Sequence, residues 1–199
     1  MSDPQIDSGK RTWIIASSCA GVVGAGFVAV PFISSFEPSE RARAAGAAVE
    51  VDIADLKPGE KKTVEWRGKP VWIIKRTPEQ LAELPKVDAL LADPKSARKP
   101  DELTPPYARN EGRSIKPDIL VAVGICSHLG CSPSDKFTPG AQASLPDNWA
   151  GGFLCPCHGS TFDMAGRVYK NKPAPDNLEV PPHMYLSDTR ILIGEDEKA

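Results

Sequence analysis

Four of the five cysteines and two of the three histidines fall in two short stretches, VGICSHLGC at 123–131 and FLCPCHGSTFD at 153–163. Written as spacings, these are Cys126-x-His128-x-x-Cys131 and Cys155-x-Cys157-His158. Three chemistries compete for such residues. A structural zinc ion takes four ligands in a tetrahedron, which leaves two thiols idle, and the usual Cys-x-x-Cys spacing is missing. A disulfide framework uses the cysteines but gives no reason for a histidine beside each pair. A [2Fe–2S] centre with two cysteines on one iron and two histidines on the other leaves a pair of cysteines to link the loops. Only this mixed arrangement employs all six residues.

The pair C-S-H-L-G-C and C-P-C-H-G-S resembles the two cluster-binding boxes of the Rieske iron–sulfur proteins. The second cysteine in each box is similar to the subgroup found in quinol–cytochrome c oxidoreductases, the cytochrome bc1 complexes. The resemblance implies that Cys126, His128, Cys155 and His158 hold one [2Fe–2S] cluster and that Cys131 and Cys157 form a disulfide. It implies that Ser160 donates a hydrogen bond to a bridging sulfide, and that Gly130 and Gly159 let the loop backbone approach closely. Pro173 and Pro175, in NKPAPDNLEV, match a loop that covers the far side of the cluster, with Lys172 where the family has glycine. His158 is implied to hydrogen-bond the quinol and take up its proton, and Leu129 to pack on cytochrome b. Phe162 departs from the pattern: many high-potential members carry a tyrosine there, and phenylalanine has no proton to donate.

The implied activity is one-electron transfer from ubiquinol to cytochrome c1 within a membrane complex, expected to be dimeric. Two other readings stand beside it. The small Rieske subunit of arsenite oxidase shares disulfide-type boxes but normally lacks a retained anchor. A soluble ferredoxin-type carrier would have neither Cys131 and Cys157 nor an apolar N-terminus.

The elements that must position the boxes read as mainly β, with twenty prolines and sixteen glycines against a helical bundle. AVEVDIADL alternates, KTVEW and PVWIIKR pair around Arg67-Gly68-Lys69, and DILVAVGIC is a buried strand leading into the first box. RVY, LEV and RILIG are further strand candidates. Thr77, Pro78 and Gln80 predict a capped helix over Pro78 to Leu84. The stretch from Pro85 to Pro117 reads as an insertion of loops with a short helix near Val87 to Ala92, to which the sequence assigns no role. His183 reads as a surface or strand-end histidine, and sparse aromatics argue against a large aromatic core.

From Thr12 to Phe36 no residue is charged. A helix over that run would be about 37 Å long, against roughly 30 Å of hydrocarbon. The run exceeds the apolar core of a cleaved signal peptide and ends without a small-x-small site. It therefore predicts a retained anchor over 12–36, in which Cys19 is a small apolar residue. Gly21, Gly24, Ala25 and Gly26 offer a close-packing face. Residues 1–11 form a short N-terminal segment, 37–48 an alanine-rich tether interrupted by Gly46, and 49–199 a β domain whose cluster-binding part spans about 118–176. Ala44 to Ala48 is expected to be a hinge.

A net charge of −2 provides no basic footprint for nucleic acid. Basic residues flank both ends of the apolar run, so the positive-inside rule leaves its orientation open. A disulfide persists in an oxidising compartment, which predicts a cytoplasmic N-terminus and a periplasmic cluster domain on the bacterial inner membrane. SGKRTW resembles a twin-arginine export signal with Lys10 in place of the first arginine.

Overall fold

The structure is a computed structural model that describes residues 7–99 and 102–196. Residues 1–6 of the expected N-terminal segment lie outside the described residues. The chain divides between Ala44 and Ala45 into two compact units.

The first unit carries helix α1, Ser8–Ser34, whose N-cap Asp7 accepts the Lys10 N–H at 3.1 Å. The helix thus starts ahead of the charge-free run, with Lys10 and Arg11 in its first turn. Its 27 residues bury nothing within the unit. Apolar on every face, α1 has lipid as its natural solvent, and its length of about 40 Å suffices to cross. Helix α2, Glu40–Ala45, follows and stops immediately before Gly46, the residue expected to interrupt it.

In the second unit, strands β1 (Val49–Asp52), β2 (Lys61–Trp66) and β3 (Lys69–Lys75) precede helix α3 (Pro78–Glu83). A 3₁₀ turn at Pro85–Leu90 leads, through a long irregular stretch, to β4 (Ile119–Val123) and β5 (Ser134–Lys136). Strands β6 (Gly152–Leu154), β7 (Thr161–Phe162), β8 (His183–Ser187) and β9 (Arg190–Ile193) complete the chain. All pairings are antiparallel, in three three-stranded sheets ordered β1-β9-β8, β2-β3-β4 and β5-β6-β7.

The central sheet β2-β3-β4 is covered on both faces. Val71, Ile73, Val121 and Val123 point one way and pack with Val51, Ile191 and Ile193. Trp72, Ile74, Leu120 and Ala122 point the other way and pack with Cys126, Phe153, Cys155 and Phe162. Strand alternation sends successive side chains to opposite faces, so β4, buried at every residue, joins the two cores and runs directly into the first box. Trp72 stacks on Phe153 with ring centroids 5.0 Å apart, and any Cβ at Gly124 would fall inside the Trp72 indole. Few as the aromatics are, they form a compact stack beneath the boxes.

The hairpin at Arg67-Gly68 has φ of 52° and 71° at its two turn residues, the left-handed pair that suits a two-residue connection. The Thr77–Gln80 capping box is complete, with the Thr77 N–H donating to Gln80 at 2.9 Å and the Gln80 N–H to Thr77 at 3.3 Å. Two strand expectations need correction. RVY contributes only isolated bridges, Val168 to Phe162 and Tyr169 to Leu91. LEV is in no strand: the Val123 N–H donates to the Glu179 carbonyl, the Val180 N–H to the Leu103 carbonyl and the Leu178 N–H to the Gly166 carbonyl, so the segment is tied singly to three places rather than laddered to one. The helix expected near Val87 begins earlier, at Pro85, and is 3₁₀.

Candidate metal centre

The two boxes are the connections β4–β5 and β6–β7, and their backbones repeat one construction. The Cys126 N–H donates to the Cys131 carbonyl at 2.8 Å and the Gly130 N–H to the Cys126 carbonyl at 3.1 Å. In the second box the Cys155 N–H donates to the Ser160 carbonyl at 2.7 Å and the Gly159 N–H to the Cys155 carbonyl at 3.0 Å. Each loop closes through a glycine with positive φ, 81° at Gly130 and 73° at Gly159. A Cβ at either glycine would meet no protein atom within 4 Å. Against the protein, then, the glycines answer a need for left-handed backbone rather than for close approach.

The matched loops bring like residues together. The Cys126 and Cys155 thiols are both free and buried. The His128 and His158 rings lie 4.7 Å apart, edge to face, with His128 half-buried and His158 exposed. Cys131 and Cys157 are joined by a disulfide across 26 positions of sequence. Burial pushes the Cys126 thiol up, while the His128 N–H and the Ser160 hydroxyl pull it down by hydrogen bonding the sulfur. The Sγ atoms of Cys131, Cys155 and Cys157 all lie within 4.8 Å of one another, but the disulfide removes two of them from ligation.

Two adjacent thiols inside and two adjacent imidazoles outside form a donor set of two kinds, segregated by depth. That set fits an iron–sulfur cluster with unlike ligands on its two irons. A single zinc ion taking any four of six would require no such segregation.

The proline loop is sewn to both boxes. Ser160, fully buried, accepts the Ala174 N–H at 3.0 Å. Ser127 donates to the Asp176 carbonyl at 2.6 Å and accepts the Asp176 N–H at 3.2 Å. Ala174 is buried between the exposed Pro173 and Pro175. Lys172 lines two neighbouring clefts of about 350 and 330 Å³, with Asn171 beside it at a positive φ of 57°. Leu129 is 71% exposed at the tip. Phe162 is fully buried opposite Phe153. His183 opens β8 and is a strand-end residue, but it is buried rather than superficial, with its Nδ1 2.8 Å from the Pro181 carbonyl.

Sequence reasoning passed over the residues that hold this loop from behind. Asn177 accepts the Val168 N–H and donates to the Asp93 carbonyl, both at 2.9 Å. Arg98 donates to the Pro175 carbonyl at 2.8 Å, and Lys99 pairs with Asp176 at 2.6 Å. Arg113 donates to the carbonyls of Ala165, Gly166 and Leu178. Asp93, Arg98, Lys99 and Arg113 all come from the insertion between Pro85 and Pro117, which is therefore the brace of the proline loop. Ser127, inside the first box, was the one such residue whose position signalled a role.

Comparison with known proteins agrees with this geometry. Residues 99–182 match the family described as Rieske [2Fe-2S] domain, and residues 13–39 match one described as ubiquinol–cytochrome c reductase Fe-S subunit TAT signal. A ubiquinol–cytochrome c reductase iron-sulfur subunit from Allochromatium vinosum is 56% identical, over 94% of this chain and 88% of that protein. The protein of the same name from Rhodospirillum rubrum is 39% identical over 97% of this chain and 96% of its own length. A solved hyperthermophilic respiratory Complex III chain aligns with 89% of this chain and 97% of its own, at 25% identity and a TM-score of 0.45.

Proposed function

The chain belongs to the Rieske iron–sulfur subunits of ubiquinol–cytochrome c reductase, and on that premise we propose how its residues divide the work. It is an electron-transfer subunit of the membrane-bound bc1 complex, carrying a Rieske [2Fe–2S] cluster. The arsenite-oxidase reading is not favoured, because close relatives along nearly the whole chain carry the reductase name.

Cys126 and Cys155 would hold one iron of the cluster, and His128 and His158 the other. The observation that carries this assignment is the segregation of two buried thiols from a half-buried and an exposed imidazole that lie against each other. When bound, the cluster supplies a one-electron acceptor whose potential is raised because neutral imidazoles replace two thiolates. His158 is exposed, so its ring would be free to hydrogen-bond ubiquinol and to hold the quinol's proton at its outer nitrogen. Ser160 accepts the Ala174 N–H and keeps its own proton for sulfur, which favours the more negative, reduced state. Leu129 supplies apolar contact with cytochrome b. The disulfide locks the two boxes at a fixed spacing.

The partners are cytochrome b on the donor side and cytochrome c1 on the acceptor side, in a dimeric complex. Helix α1 anchors the chain in the bacterial inner membrane. The disulfide favours the periplasm for the cluster domain, with the N-terminus cytoplasmic and export through a twin-arginine-type signal at Lys10-Arg11.

Purification of the full chain from membranes tests the reading. Co-isolation with b- and c-type haem and a Rieske-type electron paramagnetic resonance signal is expected. Molybdenum in place of haem would overturn it.

A further inference from the structure

Three arginines are among the most deeply buried side chains: Arg76, Arg113 and Arg167 are each at most 2% exposed. Arg167 is ion-paired, with Asp163 at 2.8 Å and Asp88 at 2.7 Å. Among the described residues, Arg76 and Arg113 form no ion pair. Arg76 donates to the carbonyls of Gly112, Met164 and Pro117 and to the Ser114 hydroxyl. Arg113 donates to the carbonyls of Ala165, Gly166 and Leu178 and to the Thr104 hydroxyl. Every acceptor is neutral. Burial pushes both guanidiniums down to about 10, which still leaves them charged at neutral pH.

A buried cation without a contacting anion is costly, and hydrophobic residues of similar volume would pack such a site more cheaply. The location suggests what the cost serves. Met164, whose carbonyl Arg76 holds, packs in the same core as Cys126, Cys155 and Phe162. Arg113 grips both ends of the segment from Ala165 to Leu178, and that segment delivers Ala174 to Ser160. Asp163 opposes both guanidiniums with negative charge, Asp118 acts on Arg76 and Asp93 on Arg113, while Arg167 adds like charge to both.

We propose that Arg76 and Arg113 are positioning residues for electron transfer, which raise the reduction potential of the cluster by presenting fixed positive charge to it from behind. The proposal rests on the reading that the two boxes hold a [2Fe–2S] cluster. Reduction adds one negative charge to the site, so a buried cation stabilises the reduced form and a buried carboxylate opposes it. Arg113 adds a mechanical part by clamping the segment that carries the partner of Ser160.

Redox titration of the cluster signal in the purified complex tests this with three variants: Arg113→Gln, Arg113→Lys and Asp163→Asn. Arg113→Gln should lower the reduction equilibrium constant on the order of tenfold, a shift of about 59 mV for a one-electron couple. Arg113→Lys should restore most of the shift, because the charge remains while the fork is lost. Asp163→Asn should move the potential upward. Mere loosening of the loop would shift all three variants the same way, and that result overturns the proposal, as does an unchanged potential in Arg113→Gln. If the Arg113 variants do not accumulate cluster, Arg76→Gln titrated beside Arg76→Lys decides: a potential lowered in Arg76→Gln and largely restored in Arg76→Lys supports the proposal, and an unchanged potential in Arg76→Gln refutes it. A wild-type complex with no Rieske signal would instead defeat the assignment of the boxes.

Discussion

The buried Ser160 hydroxyl accepts the Ala174 backbone N–H at 3.0 Å, so one side chain joins the second box to the proline loop that covers it. The same hydroxyl hydrogen-bonds the Cys126 sulfur. Ser160→Ala therefore removes a donor to sulfur and leaves a buried N–H without its acceptor. A lost hydrogen bond to sulfur disfavours the reduced state, and the orphaned amide costs about 1–3 kcal/mol. Redox titration should give a lower midpoint, and thermal unfolding a lower Tm. A lower Tm at unchanged potential would confine Ser160 to a packing role.

Cys131 and Cys157 close a loop across 26 positions of sequence. Entropy of the unfolded chain assigns such a link about 3 kcal/mol. Cys131→Ser combined with Cys157→Ser should lower unfolding stability by about that amount, with the cluster more readily lost in air. Denaturant unfolding of the double variant beside wild type checks it.

Residue type and spacing carried the centre of this molecule into view, because ligand chemistry is local: six residues in two short loops state their own requirements. The hairpin at Arg67-Gly68 and the Thr77 cap were legible for the same reason. The support behind the site was not. Arg113 reaches Leu178 across 65 positions, and Asn177 reaches Asp93 across 84. Neither pair has a periodicity or motif, since each exists only once the sheets have brought distant loops together. LEV and RVY look like strands by composition, yet their backbone groups are taken one at a time by separate strands and loops.

His183 is buried, and desolvation lowers its pKa below the ordinary 6.5, with the Pro181 carbonyl and Asp196 opposing that shift. The unfolded chain then binds a proton more readily than the folded one. His183 contributes stability that is fully present above about pH 6.5 and is lost as pH falls toward the folded value. His183→Gln should flatten the acid side of the Tm profile over that window. An identical acid slope in the variant would assign the loss to other groups.

Phe162 is fully buried opposite Phe153 and shares a core with the Cys126 and Cys155 thiols. A tyrosine there would bring a hydroxyl donor into a place that now has none. Phe162→Tyr is expected to raise the cluster potential, since a hydrogen bond to a ligand sulfur favours reduction. Redox titration side by side with wild type reads it. An unchanged or lower potential would mean that the hydroxyl finds another partner or none.

Helix α2 ends at Ala45, just before Gly46, and the division into two compact units falls between Ala44 and Ala45. Under the proposed function, one cluster would visit a donor in the membrane and an acceptor farther out, which would need a tether able to change direction. Glycine supplies the backbone freedom, and the alanines carry only methyl groups with which to anchor it. Gly46→Pro with Ala47→Pro would fix φ at successive positions and stiffen the segment. Turnover of the assembled complex should fall well below wild type, while the cluster signal and its potential stay unchanged, because neither box is touched. Normal turnover in the stiffened chain would remove the hinge from the mechanism, and a changed potential would show that the substitutions reach the cluster domain itself.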